Sequence, residues 1–117
     1  MSENNNPFAP EWVVLGMDAG KEGAPRYKIR ALDGLQQQDI LKEMVVTAEG
    51  EVTIGGAGVR AALKYGLLDW ENQTDEQDAP LEFSRDNIRL LPGMRLFSIA
   101  EKIIYGSKLA DAARKNS

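Results

Sequence analysis

The segment RYKIRAL, Arg26 to Leu32, alternates strictly, with Tyr27, Ile29 and Ala31 on one side and Lys28 and Arg30 on the other. Period-two alternation is the pattern of a half-buried strand, and it commits the chain to supplying an apolar cover for one face. Upstream, EWVVLGM (Glu11 to Met17) is β-branched and aromatic and reads as a second strand. Between them DAGKEGAP carries two glycines and a proline, so the chain turns there. The two strands predict an antiparallel hairpin over residues 11–32. A lone hairpin is marginal in water, so helices are expected to cover it.

After Leu32 the period changes. Asp33 is placed to cap a helix from about Gly34 to Val46, with Leu41, Met44, Val45 and Ala48 at helical spacing. AEGEV then turns the chain. A second helix is expected in GGAGVRAALKYGLLDW: Val59, Ala62 and Leu63 form its stripe, Arg60 and Lys64 face water, and Gly66 stops it. Glycines 55, 56 and 58 could cradle a phosphate, but neither the G-K-[ST] ending of a P-loop nor a third glycine of G-x-G-x-x-G follows. Close packing of the helix explains them without a ligand. Ser84 is an N-cap candidate for a short helix from Arg85 to Leu91, with Phe83 and Ile88 as its hydrophobic staple. Pro92 then suits the first turn of a last helix, where Leu96, Ile99, Ala100 and Ile103 share a face. The expected fold is α+β and mostly α, an N-terminal hairpin packed against about four helices. Residues 1–10 read as a flexible leader. Residues 11–117 read as a single domain, the hairpin at 11–32 and a helical part at 33–113.

The chemistry available is narrow. Among 117 residues there is neither cysteine nor histidine, so thiolate chemistry, disulfides and the commonest general base and transition-metal ligand are absent. The 14 basic and 18 acidic residues give a net charge of -4, which argues against a nucleic-acid binder. No apolar run reaches the ~20 residues of a membrane span. The start, MSENNNPFAP, lacks the charged and apolar regions of a signal peptide.

The densest concentration of ionisable groups is GLLDWENQTDEQDAPLEFS, with Asp69, Glu71, Asp75, Glu76, Asp78 and Glu82 and no cation. A calcium loop of the EF-hand type needs Gly at the sixth position and Glu at the twelfth, where Thr74 and Pro80 stand here. Paired carboxylates for acid/base work need an apolar setting that raises one pKa, and the middle of this run is polar. It reads as a connector between two apolar anchors, Leu67, Leu68 and Trp70 before it and Leu81 and Phe83 after it.

The same residues carry a resemblance. The order AALKYGLLDWEN, a polar insert, PLEFSRDNIRLLP and an amphipathic helix resembles the tail assembly chaperones of long-tailed bacteriophages. The matching positions are Gly66, Leu67, Leu68, Trp70, Glu71 and Asn72, then Pro80, Leu81, Phe83, Ser84, Asn87, Leu91 and Pro92. YKIRALDGLQQQDILKEM is similar to the family's opening, and the segment before Arg26 has no counterpart. The resemblance implies a non-enzymatic protein of the host cytoplasm, without cofactor or metal. Such a protein binds the phage tape measure protein, assists assembly of the tail tube protein around it, and is absent from the finished virion. Neither nucleic acid nor membrane is an expected partner, and self-association is left open. Leu96, Phe97, Ile104, Tyr105 and Leu109 extend the apolar surface of the last helix nearly all round. Such a helix either meets a partner or sits at the centre of the core. The competing readings are a structural virion component such as a tail completion or connector subunit, a phage-encoded inhibitor of a host protein, and a hydrolase working through Asp69 and Glu71.

Overall fold

The computed structural model describes residues 8–107. The expected leader lies largely outside this range, as do Leu109 and the end of the expected helical part. Strand β1 (Glu11–Val13) pairs antiparallel with β2 (Arg26–Ile29), as the alternation predicts. Tyr27 and Ile29 are buried. The connection contains a 3-10 turn over Gly16–Asp18. Helix α1 (Gly34–Leu41) opens with a full capping box: Asp33 accepts from the Gln36 N–H, and the Gln36 side chain accepts from the Asp33 N–H. Helix α2 (Gly56–Gly66) and helix α3 (Gly93–Gly106) supply the long amphipathic elements.

The expected hairpin against about four helices is incorrect. The described residues form three α-helices and five strands in two sheets. The helix expected to Val46 stops at Leu41, and Met44–Val46 is strand β3, paired antiparallel with β4 (Val52–Ile54). The apolar spacing of Leu41, Met44, Val45 and Ala48 fits a helix. However, β-branched Val45, Val46 and Thr47 meet a turn in which Gly50 takes φ +84°, and strand propensity with turn chemistry prevails. Beyond Gly66, the segment read as the apolar anchor before the acidic connector is strand β5 (Leu67–Glu71), which adds to the free edge of β2 and gives the order β1-β2-β5. The register slips between Lys28 and Ile29, so that Tyr27 faces Trp70 while Ile29 faces Leu67. This bulge places Leu67 and Trp70, three residues apart, in the core together. The short helix expected at Arg85 to Leu91 is a 3-10 turn over Asp86–Leu90, with Ser84 Oγ accepting from the Asn87 N–H at 3.1 Å.

The core joins Leu15, Tyr27, Leu32, Ile40, Ala62, Leu63, Leu67, Trp70, Ile99 and Ile103. Helices α2 and α3 approach one another closely within it. A Cβ on Gly66 would lie 2.6 Å from Ile103 Cγ2. Gly66 ends α2 without a left-handed conformation; its value is the contact it permits, not a cap. Gly58 is similar, since a Cβ there would meet Ile54 of β4 at 2.5 Å. Gly66→Ala is therefore expected to destabilise the protein by about 1–3 kcal/mol through overpacking. In urea denaturation, Gly66→Ala combined with Ile103→Ala should cost less than the sum of the two single changes.

Candidate functional site

An open groove of about 670 Å³ runs where α2, the 3-10 turn and α3 meet. Its lining includes Ile54, Val59, Leu63, Ile88, Leu96 and Phe97. Leu63 is buried and the other five are half-buried. Two pairs of cations complete the wall: Arg60 and Lys64 from α2, and Arg85 and Arg89 from the turn. Each pair is spaced four residues apart, and all four side chains are exposed, so they form a rim above the apolar floor. Among the described residues no Asp or Glu lines the groove. Among the described residues the ion pairs are Lys21–Asp18, Arg26–Glu71, Lys42–Asp39 and Arg95–Asp18, so none of the four rim cations is matched by a carboxylate. Arg85 lies 5.5 Å from the Phe83 ring and donates to the Leu63 carbonyl; Lys64 lies over Tyr65. None of these contacts neutralises Arg85 or Lys64.

The residues expected to meet a partner divide. Leu96 and Phe97 line the groove. Ile104 is 4% exposed and belongs to the core cluster with Ile103. Tyr105 is 59% exposed but borders a separate depression with Leu15, Met17 and Lys102. Leu109 lies outside the described residues. In the sequence only Arg60 and Lys64 are read as facing water, Arg85 and Arg89 carry no signal of their own, and the fold brings the four together.

The residues of the resemblance form a structural unit. Trp70 donates its indole N–H to the Leu81 carbonyl at 2.7 Å and meets the Phe83 ring edge-on at 5.0 Å. Asn72 turns the chain at φ 62° and donates its side-chain amide to the Ala24 carbonyl. Pro80 pairs with Thr74 in an isolated bridge, Leu91 is buried, and Pro92 stands at the N-cap of α3. The carboxylates between them serve the loop itself: Asp75 Oδ1 accepts from the Gln77 and Ala79 N–H groups, and Glu71 pairs with Arg26. Among the described residues no three acidic side chains are placed to share a metal ion.

A second cluster of ionisable groups is buried. Asp18, 2% exposed, accepts from Arg95 through both carboxylate oxygens, at 2.6 and 3.2 Å. Arg95 also donates to the Tyr27 hydroxyl, which in turn donates to Gln73 Oε1. Gln73 completes the chain by donating to the Thr74 carbonyl. The bond to Asp18, reinforced by Tyr27, holds the Arg95 guanidinium above its ordinary range. Burial raises the Tyr27 phenol, opposed by Arg95. With every buried side-chain polar atom among the described residues partnered, the cluster acts as a fastening.

Comparison with protein-family models, with curated proteins and with solved structures finds no match. Among the described residues, no helix is long and apolar enough to cross a membrane.

Two predictions follow from the fastening. Arg95→Met leaves the Asp18 carboxylate buried with only Lys21 at 3.9 Å, and should cost about 3–5 kcal/mol in denaturant titrations. Adding Asp18→Ala to it should recover part of that loss. The folded state holds the Tyr27 proton more tightly than the unfolded chain, whose phenol titrates near 10.0. Its contribution is thus complete below that value and is lost as pH rises toward the folded value. Stability measured at increasing pH above 10.0 should fall less steeply in Tyr27→Phe than in the unaltered protein.

Proposed function

We propose that this is a non-enzymatic binding protein of the tail assembly chaperone kind. It engages the tape measure protein of a long-tailed phage in the host cytoplasm, assists addition of the tail tube protein, and leaves before the virion is complete. The observation that carries the reading is the groove: a half-buried apolar floor with four unneutralised cations around it. Monomeric proteins leave such apolar concavities open chiefly where something docks. The missing histidine and cysteine support a role without catalysis. So does the Trp70–Phe83 unit, which falls on the residues of the family resemblance and fixes the chain leading to the 3-10 turn of the groove.

Co-expression with the tape measure protein of the same phage tests this directly. That protein is expected to remain in the soluble fraction only when this chain is present. Leu96→Asp, which places a charge on the floor, is expected to weaken the complex by about 2 kcal/mol or more. Tape measure protein that is equally soluble without this chain overturns the proposal, as does stoichiometric presence of this chain in purified virions.

A further inference from the structure

The chemistry of the groove says more than that a partner binds. The chain carries a net charge of -4, yet Arg60, Lys64, Arg85 and Arg89 gather at one site, and the lining contains no carboxylate. Uncompensated like charges around a common concavity repel one another, a cost that an anionic occupant relieves. Between them lie the half-buried Val59, Ile88, Leu96 and Phe97 over the buried Leu63, and the exposed area of those four is gained back only by an apolar occupant. The occupant must therefore be apolar at its centre and acidic at its borders.

Three kinds of occupant meet part of that requirement. A nucleic acid would satisfy the cations, but its backbone gains nothing from an aliphatic floor, and Phe97 is the one aromatic ring available in the lining for stacking. A small amphiphile is usually engulfed by its pocket, whereas this groove is open to solvent on one side. A second copy of this chain would have to present an exposed apolar helix bordered by acids. Its described helices do not: Leu35 on α1 and Met94 on α3 are single exposures, Tyr105 of α3 shares a depression with Met17 of a turn rather than forming a helical stripe, and Asp75, Glu76 and Asp78 lie in a loop. An amphipathic helix meets both conditions, laying its stripe on the floor while its flanking residues reach the rim.

We propose that the groove formed by α2, the 3-10 turn and α3 receives one amphipathic helix of the partner, with an apolar stripe bordered by Asp or Glu. This names the partner chemistry of the site described above and rests on the reading that a partner docks there. Arg60 and Lys64 receive acids along one element, and Arg85 and Arg89 receive them along the other.

The test uses the full chain and two synthetic helical peptides of about eighteen residues. Both carry Leu at i, i+3, i+4 and i+7 spacing; one has Glu at the borders and the other has Lys. The Glu peptide is expected to shift the amide resonances of Val59, Leu63, Leu96 and Phe97. It should bind at least about tenfold tighter than the Lys peptide, and the difference should shrink at high salt. The Arg60→Glu, Arg89→Glu variant, whose substituted side chains are exposed and whose fold is checked by circular dichroism, should invert the preference. Equal affinity for the two peptides overturns the proposal. So do shifts centred on Met17 and Tyr105, tighter binding of a single-stranded oligonucleotide, or a concentration-dependent dimer that the charge-reversed variant abolishes. If any of these is found while Leu96→Asp still releases the tape measure protein, the acidic-helix chemistry falls and the binding role stands.

Discussion

The buried pair between Arg95 and Asp18 is the contact on which the arrangement of the molecule depends. It connects the 3-10 turn between β1 and β2 to the first turn of α3, 77 residues apart in sequence. Desolvating two charges is costly, and the attraction repays that cost only where geometry is good and the remaining polar atoms are satisfied. Here both oxygens of Asp18 are used, and the Arg95 guanidinium is shared with Tyr27. The pair is thus weak evidence of net stability and strong evidence of specificity, since any other seating of α3 leaves a buried carboxylate alone. At its far end α3 is held a second time: the Leu32 N–H donates to Ser107 Oγ, and that hydroxyl donates to the Ile103 carbonyl. A helix fixed at both ends cannot slide along α2.

With the ends of α3 set, its middle can be pressed against α2 as closely as the backbone allows. Gly66 is what allows it, since Ile103 occupies the space a Cβ would fill. The crossing is tight at the C-terminal end of α2. Toward the N-terminal end of both helices, Val59 and Leu63 stand apart from Leu96 and Phe97, and the groove lies between them with the 3-10 turn as its third wall. The groove is thus a product of how the two helices meet. Core contacts that exclude water at one end leave apolar side chains half-exposed at the other.

Much of this was legible in the residues. The alternation of Tyr27 and Ile29, the capping role of Asp33, the end of α2 at Gly66 and the anchoring by Trp70 and Phe83 are all local signals, and each appears in the structure. The strands β3, β4 and β5 were not legible, for two reasons. A three-residue strand such as Met44–Val46 is too short to establish a period against a helix ending three residues earlier. Leu67–Glu71 hides its alternation because the bulge opposite Lys28 and Ile29 puts Leu67 and Trp70 on one face, a decision made by the partner strand. The burial of Ile104 is not legible for a related reason: helical periodicity identifies an apolar face but not what lies against it.

The cationic rim illustrates the same limit from the side of charge. Arg60 and Lys64 are spaced as solvent-facing residues of any amphipathic helix, and Arg85 and Arg89 lie in a segment whose neighbour Asp86 gives it a mixed charge. Nothing in either segment alone separates a solubilising charge from a recognition charge. Folding separates them by distributing the acids elsewhere: Glu71 to Arg26, Asp39 toward Lys42 and Tyr65, Asp18 into the interior, and Asp75 onto its own loop. Once those carboxylates are engaged away from the groove, the four cations are left with an apolar floor and, among the described residues, no paired carboxylate. A chain that is acidic overall therefore presents one locally basic, apolar site. That local inversion, rather than net charge, is what an incoming acidic helix would encounter within a screening length of contact.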